Sequence, residues 1–136
     1  MATASAFIDI PASSEQVWQL IGGFNSLPDW LPLIAKSQLS EGGRVRRLET
    51  QDGQVIVERL EFFDNAGKTY NYSISLAPFP VIDYLSTLSV EAHGQGSRVS
   101  WSGRFTANGV SDQEAEELFT AVYSGGLAAL RANYPA

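Results

Sequence analysis

The 136-residue chain contains no cysteine, a single histidine and a single methionine. Without cysteine it forms no disulfide framework, no thiolate nucleophile and no thiolate metal site. No stretch approaches the roughly 18 consecutive apolar residues of a membrane span, and the first residues lack the basic and apolar regions of a secretory signal. We therefore expect a cytoplasmic protein without integral membrane association.

Basic residues are also scarce. Nine Lys and Arg stand against fifteen Asp and Glu, a net charge of −6, so a nucleic-acid backbone would be repelled on average and is not an expected partner. Hydrophobic residues make up 44% of the chain, and no repeat, linker or low-complexity tract divides it. We predict one domain over residues 1–136, present as a monomer or homodimer.

Capping signals place the helices. Ser13 with Gln16 has the spacing of a capping box and begins a helix after a short first strand, and a one-turn helix between two prolines follows. Ser111 with Glu114 has the same spacing. It begins a long helix that we expect to end near Asn133.

Between residues 33 and 107 the apolar residues recur with a period of two, which is typical of strands. Short connections favour an antiparallel meander. Together with the first strand, this predicts an α+β fold in which a curved seven-stranded antiparallel sheet wraps around the long helix. Because one helix leaves part of a concave sheet uncovered, we also predict an internal cavity. Five turn signals separate the six strands of this region, at residues 41–43, 52–53, 64–67, 77–80 and 93–96.

Alternation also predicts which residues face inward. The strand Lys68–Leu76 alternates cleanly, whereas Gln54–Phe63 has two mixed faces. If its set with Glu58 is the inner one, Glu58 is a carboxylate on the cavity wall. The predicted inward set includes Ile56, Glu58, Leu60, Phe62, Tyr70, Tyr72, Ile74, Leu76, Ile82, Tyr84, Ser86, Trp101, Phe119, Val122, Tyr123 and Leu127.

Two adjacent glycines interrupt the long helix. Gly125 and Gly126 each cost about 1 kcal/mol relative to alanine in a helix interior. Either the helix packs closely against the sheet there, or the gap accommodates a ligand. The sequence leaves both readings open.

Several segments, taken in order, resemble a known superfamily. They are Ile8–Trp18, Pro28–Pro32, Glu58–Glu61, Tyr84–Ser86 and Val99–Phe105. Their order and spacing resemble the START-like helix-grip superfamily (SRPBCC), in particular its polyketide cyclase/dehydrase-like branch. The plant abscisic-acid receptors and the pollen-allergen fold are more remotely similar. The resemblance implies a helix-grip fold with a large apolar cavity, in members that range from carriers and receptors to enzymes.

The resemblance to the receptors also implies roles for single residues. Lys36 matches the lysine that meets a ligand carboxylate, Glu58 matches a pocket-facing acidic residue, and Tyr84 and Ser86 match polar wall residues. The receptor gate and latch sequences have no counterpart at residues 50–53 and 79–81. Gated hormone sensing is therefore not expected here.

Lys36 and Glu58 form the sharpest candidate pair. A lysine that faces a carboxylate across a cavity is tolerated and can orient the polar head of a ligand. By contrast, we interpret Arg46, with its neighbours Arg44 and Arg47, as part of a solvated edge strand. His93 lies in a turn, where we expect a surface residue.

These features predict binding of a small hydrophobic or amphipathic molecule, in a carrier or sensor. One alternative is an enzyme of the cyclase or aromatase type, in which Glu58 is the catalytic acid or base. A second is a lipid or quinone carrier that acts with a partner protein. One histidine and no cysteine argue against metal or covalent catalysis, and no cofactor is expected. The predicted ligand-binding residues are Lys36, Glu58, Leu60, Tyr72, Ile74, Tyr84, Ser86, Trp101, Phe119, Tyr123 and Leu127.

Overall fold

In a computed structural model that describes residues 1–135, a seven-stranded antiparallel sheet curves around a long C-terminal helix. The predicted α+β helix-grip fold is confirmed. The strand order in the sheet is β1-β7-β6-β5-β4-β3-β2. In chain order the elements are β1 (Ala2–Ile10), α1 (Ser14–Ile21), α2 (Leu27–Trp30), β2 (Ile34–Ser40), a 3-10 turn (Glu41–Gly43), β3 (Val45–Thr50), β4 (Val55–Asp64), β5 (Thr69–Leu76), β6 (Val81–His93), β7 (Gly96–Ala107) and α3 (Asp112–Arg131).

Both predicted capping boxes are present. The Ser13 hydroxyl accepts from the Gln16 amide and the Gln16 side chain accepts from the Ser13 amide, and Ser111 and Glu114 repeat this exchange. The boxes satisfy amide groups that the first turn of a helix leaves unbonded. Helix α3 ends at Arg131, two residues before the predicted limit.

The core lies between α3 and the concave face of the sheet. Helix α3 packs against β1 and β7, and the short helices α1 and α2 contact β6, β7 and β2 beside it. The buried stripe of α3 repeats at helical spacing, as an amphipathic helix requires. It consists of Ala115, Phe119, Tyr123, Gly126, Leu127 and Leu130.

A register shift in β4 changes the face of two phenylalanines. The pairing of β4 with β5 is irregular between Leu60 and Phe62, after which Phe63 lies opposite Tyr70. Phe63 stacks on Tyr70 at a centroid distance of 6.3 Å but remains 44% exposed, and Phe62 is 53% exposed. The prediction that Phe62 faces inward is therefore wrong, because a one-residue shift moves every following side chain to the other face.

Two more irregularities correct the predicted inner face. Between Ile82 and Leu85 the register of β6 shifts against β7, and Asp83 takes a positive φ of 52°. A further shift beside Val57 separates Leu76 from the inner face of β5. Ile82 and Leu76 are both exposed. The prediction that these two side chains face inward is therefore wrong.

The two helix glycines have different surroundings. A methyl group on Gly126 would lie 2.8 Å from Leu31 Cδ1 and 2.8 Å from Trp101 Cζ3, whereas one on Gly125 would meet nothing within 4 Å. Gly126 therefore permits close approach of α3 to the core. Close packing explains Gly126 but not Gly125.

This contrast predicts opposite effects of the same substitution. Gly125→Ala should raise the free energy of unfolding by about 0.5–1 kcal/mol, because it gains helix propensity without a clash. Gly126→Ala should lower it, because overpacking costs about 1–3 kcal/mol. Urea denaturation of both variants measures the difference. Equal stabilisation by both would show that Gly126 is not closely packed.

Candidate functional site

An internal cavity of about 30 Å³ lies between α3 and the sheet. This volume is enough for about one or two water molecules, and it is far below the roughly 300–1,000 Å³ of a typical ligand pocket. The predicted cavity is present, but it is much smaller than the resemblance implied. Its walls are formed by Leu27, Leu31, Leu33, Ile34, Leu48, Ile56, Glu58, Tyr72, Ile74, Phe79, Tyr84, Trp101, Phe119, Val122 and Tyr123.

The structure brings most of the predicted site residues together at this cavity. Ser86 and Leu127 are fully buried behind the wall, and Leu60 is only partly buried on β4. These three do not line the cavity. Seven predicted residues do: Glu58, Tyr72, Ile74, Tyr84, Trp101, Phe119 and Tyr123.

Lys36 lies outside the cavity. Its side chain is 80% exposed, and Nζ lies 3.8 Å from Glu49 Oε2 on the neighbouring strand. The register of β2 against β3 shifts between Ile34 and Lys36. The predicted pairing of Lys36 with Glu58 is therefore wrong, because Lys36 lies on the outer face of an edge strand.

The partner of Glu58 is Arg46, which lies directly opposite it on β3. Arg46 Nη2 lies 2.7 Å and Nε 2.8 Å from Glu58 Oε1. The two side chains are only 1% and 8% exposed. The interpretation of Arg46 as a solvated edge residue is wrong, because β2 continues the sheet beyond β3.

Further contacts hold the Arg46 guanidinium in place. Nη1 donates to the Phe24 carbonyl at 2.9 Å and to the Tyr70 hydroxyl at 3.4 Å. The guanidinium carbon lies 4.1 Å from the ring centre of Phe24 and 4.9 Å from that of Tyr72. These are cation–π distances. Each nitrogen of the guanidinium group therefore lies within hydrogen-bonding distance of an acceptor, and aromatic rings pack against the group.

The pKa of both members of this pair is shifted. Burial raises the pKa of Glu58, and the charge and hydrogen bonds of Arg46 only partly offset this effect. For Arg46, burial lowers the pKa, but the charge of Glu58 and the nearby Tyr70 and Tyr72 raise it above its ordinary value. Arg46 therefore stays charged.

A second polar cluster lies beside the ion pair. Trp101 Nε1 donates to the Tyr72 hydroxyl at 3.1 Å and to Ser86 Oγ at 3.0 Å. Ser86 Oγ lies 2.8 Å from the Ser102 carbonyl and 3.3 Å from the Tyr123 hydroxyl. We call this set, with Tyr84, the hydroxyl cluster. Together with Glu58, the hydroxyl groups of its tyrosines are the polar groups of a cavity whose other lining residues are apolar.

Tyr84 and Tyr123 complete the hydroxyl cluster through a hydrogen bond between their phenol groups. Gly103 makes this geometry possible, because a side chain there would collide with the Tyr123 hydroxyl. Burial raises the pKa of Tyr72, Tyr84 and Tyr123. At neutral pH all three are uncharged donors and acceptors.

The mouth of the cavity is apolar. Leu33, Phe79 and Val122 line both the cavity and the surface beside it. A groove of about 260 Å³ between the α2–β2 corner and α3 shares Leu31, Leu33 and Val122 with the cavity, and a groove of about 200 Å³ beside residues 50–54 shares Leu33 and Phe79. These shared side chains lie between the cavity and the two grooves.

Six lining residues and Arg46 were missed from the sequence, whereas Ile56 and Val122 were expected on inward faces but not named as ligand-binding residues. A signal for Arg46 was available, because it shares a strand face with Leu48 and the adjacent strand carries Glu58. Leu33 and Phe79 at the mouth lie in irregular segments, where no periodicity identifies an inner face. The missed lining residues are Leu27, Leu31, Leu33, Ile34, Leu48 and Phe79.

Two other features bear on function. Within residues 1–135, no group of three or more His, Asp or Glu side chains is arranged to hold a metal ion. No helix in that part of the chain is long and apolar enough to cross a membrane. His93, expected at the surface, is half exposed and lies 3.2 Å from Arg98 Nη2.

Comparison with known proteins defines the family. Residues 1–134 match the family described as polyketide cyclase / dehydrase and lipid transport. The chain belongs to this family, as its sequence motifs predicted. A search of curated proteins finds no match.

Solved structures agree with this assignment. The chain is similar to the Bacillus cereus protein XoxI, with 55% identity and a TM-score of 0.95 over 98% of this chain and 96% of that one. A START superfamily protein from Mycobacterium smegmatis is 14% identical, with a TM-score of 0.80 over 98% of this chain and 97% of the other. The Zhui aromatase/cyclase from Streptomyces sp. R1128 is 16% identical, with a TM-score of 0.76 over 96% and 92% of the two chains. The last two likenesses concern the fold alone.

The buried ion pair predicts strong coupling between its members. Glu58→Gln and Arg46→Met should each lower the free energy of unfolding by about 3–5 kcal/mol, because each removes one partner of a buried pair. The double variant Arg46→Met/Glu58→Gln should lose less than the sum, which a double-mutant cycle in urea measures.

An exposed pair provides the control for this cycle. Arg59 and Glu41 lie 3.3 Å apart with side chains 47% and 62% exposed, so their coupling should stay below about 1 kcal/mol. Additive effects at Arg46 and Glu58 would contradict the buried pairing.

Proposed function

We propose that this protein binds a small hydrophobic or amphipathic molecule between α3 and the sheet, in a cavity that widens when side chains at its mouth move. The observation that carries this proposal is a largely aromatic and aliphatic cavity wall that also contains Glu58 and three tyrosines of the hydroxyl cluster. A core built only for stability would favour aliphatic residues and avoid a buried carboxylate. The family description, which includes lipid transport, also supports binding.

The small volume of the cavity makes opening part of the proposal. A bicyclic molecule does not fit into about 30 Å³, so entry requires displacement of Leu33, Phe79 or Val122. Leu33 is exposed, and Phe79 and Val122 are only partly buried. Because residues with incomplete packing move at low cost, rotation of these side chains would join the cavity to the adjacent grooves.

Proton-transfer catalysis on a bound ketone is the second candidate function. It is favoured by Glu58, a buried carboxyl group at the cavity wall whose pKa is raised above its ordinary value by burial. In this role Glu58 would accept a carbon-bound proton and a tyrosine hydroxyl would stabilise the resulting oxyanion. Glu58-dependent exchange of α-protons of 2-tetralone in D₂O would distinguish catalysis from binding alone.

Truncation of the mouth tests the binding proposal. The neutral dye N-phenyl-1-naphthylamine, which brightens in apolar surroundings, should bind Leu33→Ala and Phe79→Ala at least about tenfold more tightly than the unaltered protein. The reason is that less apolar surface must move before the dye enters. Fluorescence titration measures the affinity.

Leu39→Ala is the matched control. Leu39 is 41% exposed and Leu33 is 42% exposed, but Leu39 does not line the cavity. Its truncation should leave dye binding unchanged. If all variants bind the dye equally, the dye lies on the outer surface and the proposed cavity is not used.

A further inference from the structure

The cavity wall contains one acceptor that the fold leaves free. Both Arg46 bonds to Glu58 converge on Oε1. Within residues 1–135, Oε2 receives no hydrogen bond. The fully buried side-chain atoms without a hydrogen-bond partner belong to Trp30 and Ser97, so Oε2 is not fully enclosed by protein. Glu58 therefore offers Oε2 to the cavity that it lines.

The hydroxyl cluster also leaves one donor free. The Ser86 hydroxyl donates its single proton to the Ser102 carbonyl, because a carbonyl can only accept. The Ser102 oxygen is also nearer, at 2.8 Å, than the Tyr123 hydroxyl, at 3.3 Å. Tyr123 then donates to Ser86, and Tyr84 donates to Tyr123. These bonds form a directed chain that ends at the backbone.

Tyr72 stands outside that chain. Its hydroxyl oxygen accepts from Trp101, and the neighbouring Ser86 hydroxyl, the one acceptor recorded beside it in residues 1–135, already accepts from Trp101 and Tyr123. Because a buried unsatisfied donor is costly, a bound group that accepts this proton is favoured. Tyr72 lines the same cavity as Glu58.

The surrounding charges disfavour an anionic ligand. The three guanidinium nitrogens of Arg46 are engaged by Glu58, Phe24 and Tyr70, and Arg46 does not line the cavity. Lys36 points to solvent. A carboxylate entering the cavity would therefore meet Glu58 without a free cation to balance its charge.

We propose that the cavity selects neutral ligands with a hydroxyl head, an alcohol or a phenol, which donates to Glu58 Oε2 and accepts from the Tyr72 hydroxyl. An ammonium group could donate to Glu58 but has no lone pair for Tyr72. This inference rests on the proposed binding function, which it deepens by naming the head group.

Three probes of the same shape test the head group. They are 2-naphthol, naphthalene and 2-naphthoate, which at neutral pH carry a hydroxyl, no polar group and a carboxylate. Their dissociation constants are measured by fluorescence titration with the intact chain. We expect 2-naphthol to bind at least about tenfold more tightly than naphthalene, because it gains two hydrogen bonds, one of them to a charged group. We expect 2-naphthoate to bind most weakly.

Two variants assign the preference to the named residues. Tyr72→Phe removes the donor but leaves Trp101 its bond to Ser86, so the affinity for 2-naphthol should fall several-fold relative to the affinity for naphthalene. Glu58→Gln should reduce the preference further and relieve the exclusion of 2-naphthoate. If Glu58→Gln does not fold, Tyr72→Phe alone decides. Tyr134→Phe is the control, because Tyr134 lies beyond α3 and outside the cavity.

The outcomes separate the two proposals. Tightest binding of 2-naphthoate, equal binding of 2-naphthol and naphthalene, or an unchanged preference in Tyr72→Phe would overturn the head-group inference and leave cavity binding intact. Absence of binding by all three probes, in the unaltered protein and in Phe79→Ala, would overturn the binding proposal and the inference with it.

Discussion

The ion pair between Arg46 and Glu58 is the interaction on which the interior of this protein depends. Burying each charge costs several kcal/mol, and only close pairing with further hydrogen bonds offsets that cost. Arg46 meets Glu58 on β4, the Phe24 carbonyl just after α1 and the Tyr70 hydroxyl on β5. The pair therefore connects the first helix to the middle of the sheet.

The same pair gives the cavity its electrostatic character. Glu58 lines the cavity and Arg46 does not. A bound molecule would therefore contact the carboxylate of the ion pair and not the guanidinium group. Tyr72, Tyr84 and Tyr123 of the hydroxyl cluster line the same cavity, so its few polar groups lie among mostly apolar side chains. This lining suits a molecule with one polar end. The fold alone names no ligand, since unrelated functions share it, and the argument for function therefore comes from these residues.

Much of the fold followed from local signals. Capping boxes at Ser13 and Ser111 and turn residues between the strands depend on short-range hydrogen bonding and backbone sterics, which the sequence expresses directly. The placement of Glu58 inside depended on the choice between two mixed faces. The structure agrees with that choice up to Leu60 and departs from it at Phe62.

The failures have a common physical cause. Lys36, Phe62 and Ile82 each follow or precede a register shift in the sheet, and strict alternation cannot anticipate such a shift. Arg46 was missed for another reason. A charged residue is usually assigned to the surface, and the signals against this are the strand face that Arg46 shares with Leu48 and its position opposite Glu58. The small cavity depends on the packing of many large side chains, which no periodicity describes.

A crystal structure of the protein with 2-naphthol tests the central claim most directly. The account predicts the naphthol oxygen within hydrogen-bonding distance of both Glu58 Oε2 and the Tyr72 hydroxyl, with Arg46 still bonded to Oε1 and with Leu33 or Phe79 displaced from the mouth. A naphthol bound only in a surface groove over a closed cavity, or one whose oxygen contacts Arg46 after its bond to Glu58 has broken, would contradict it.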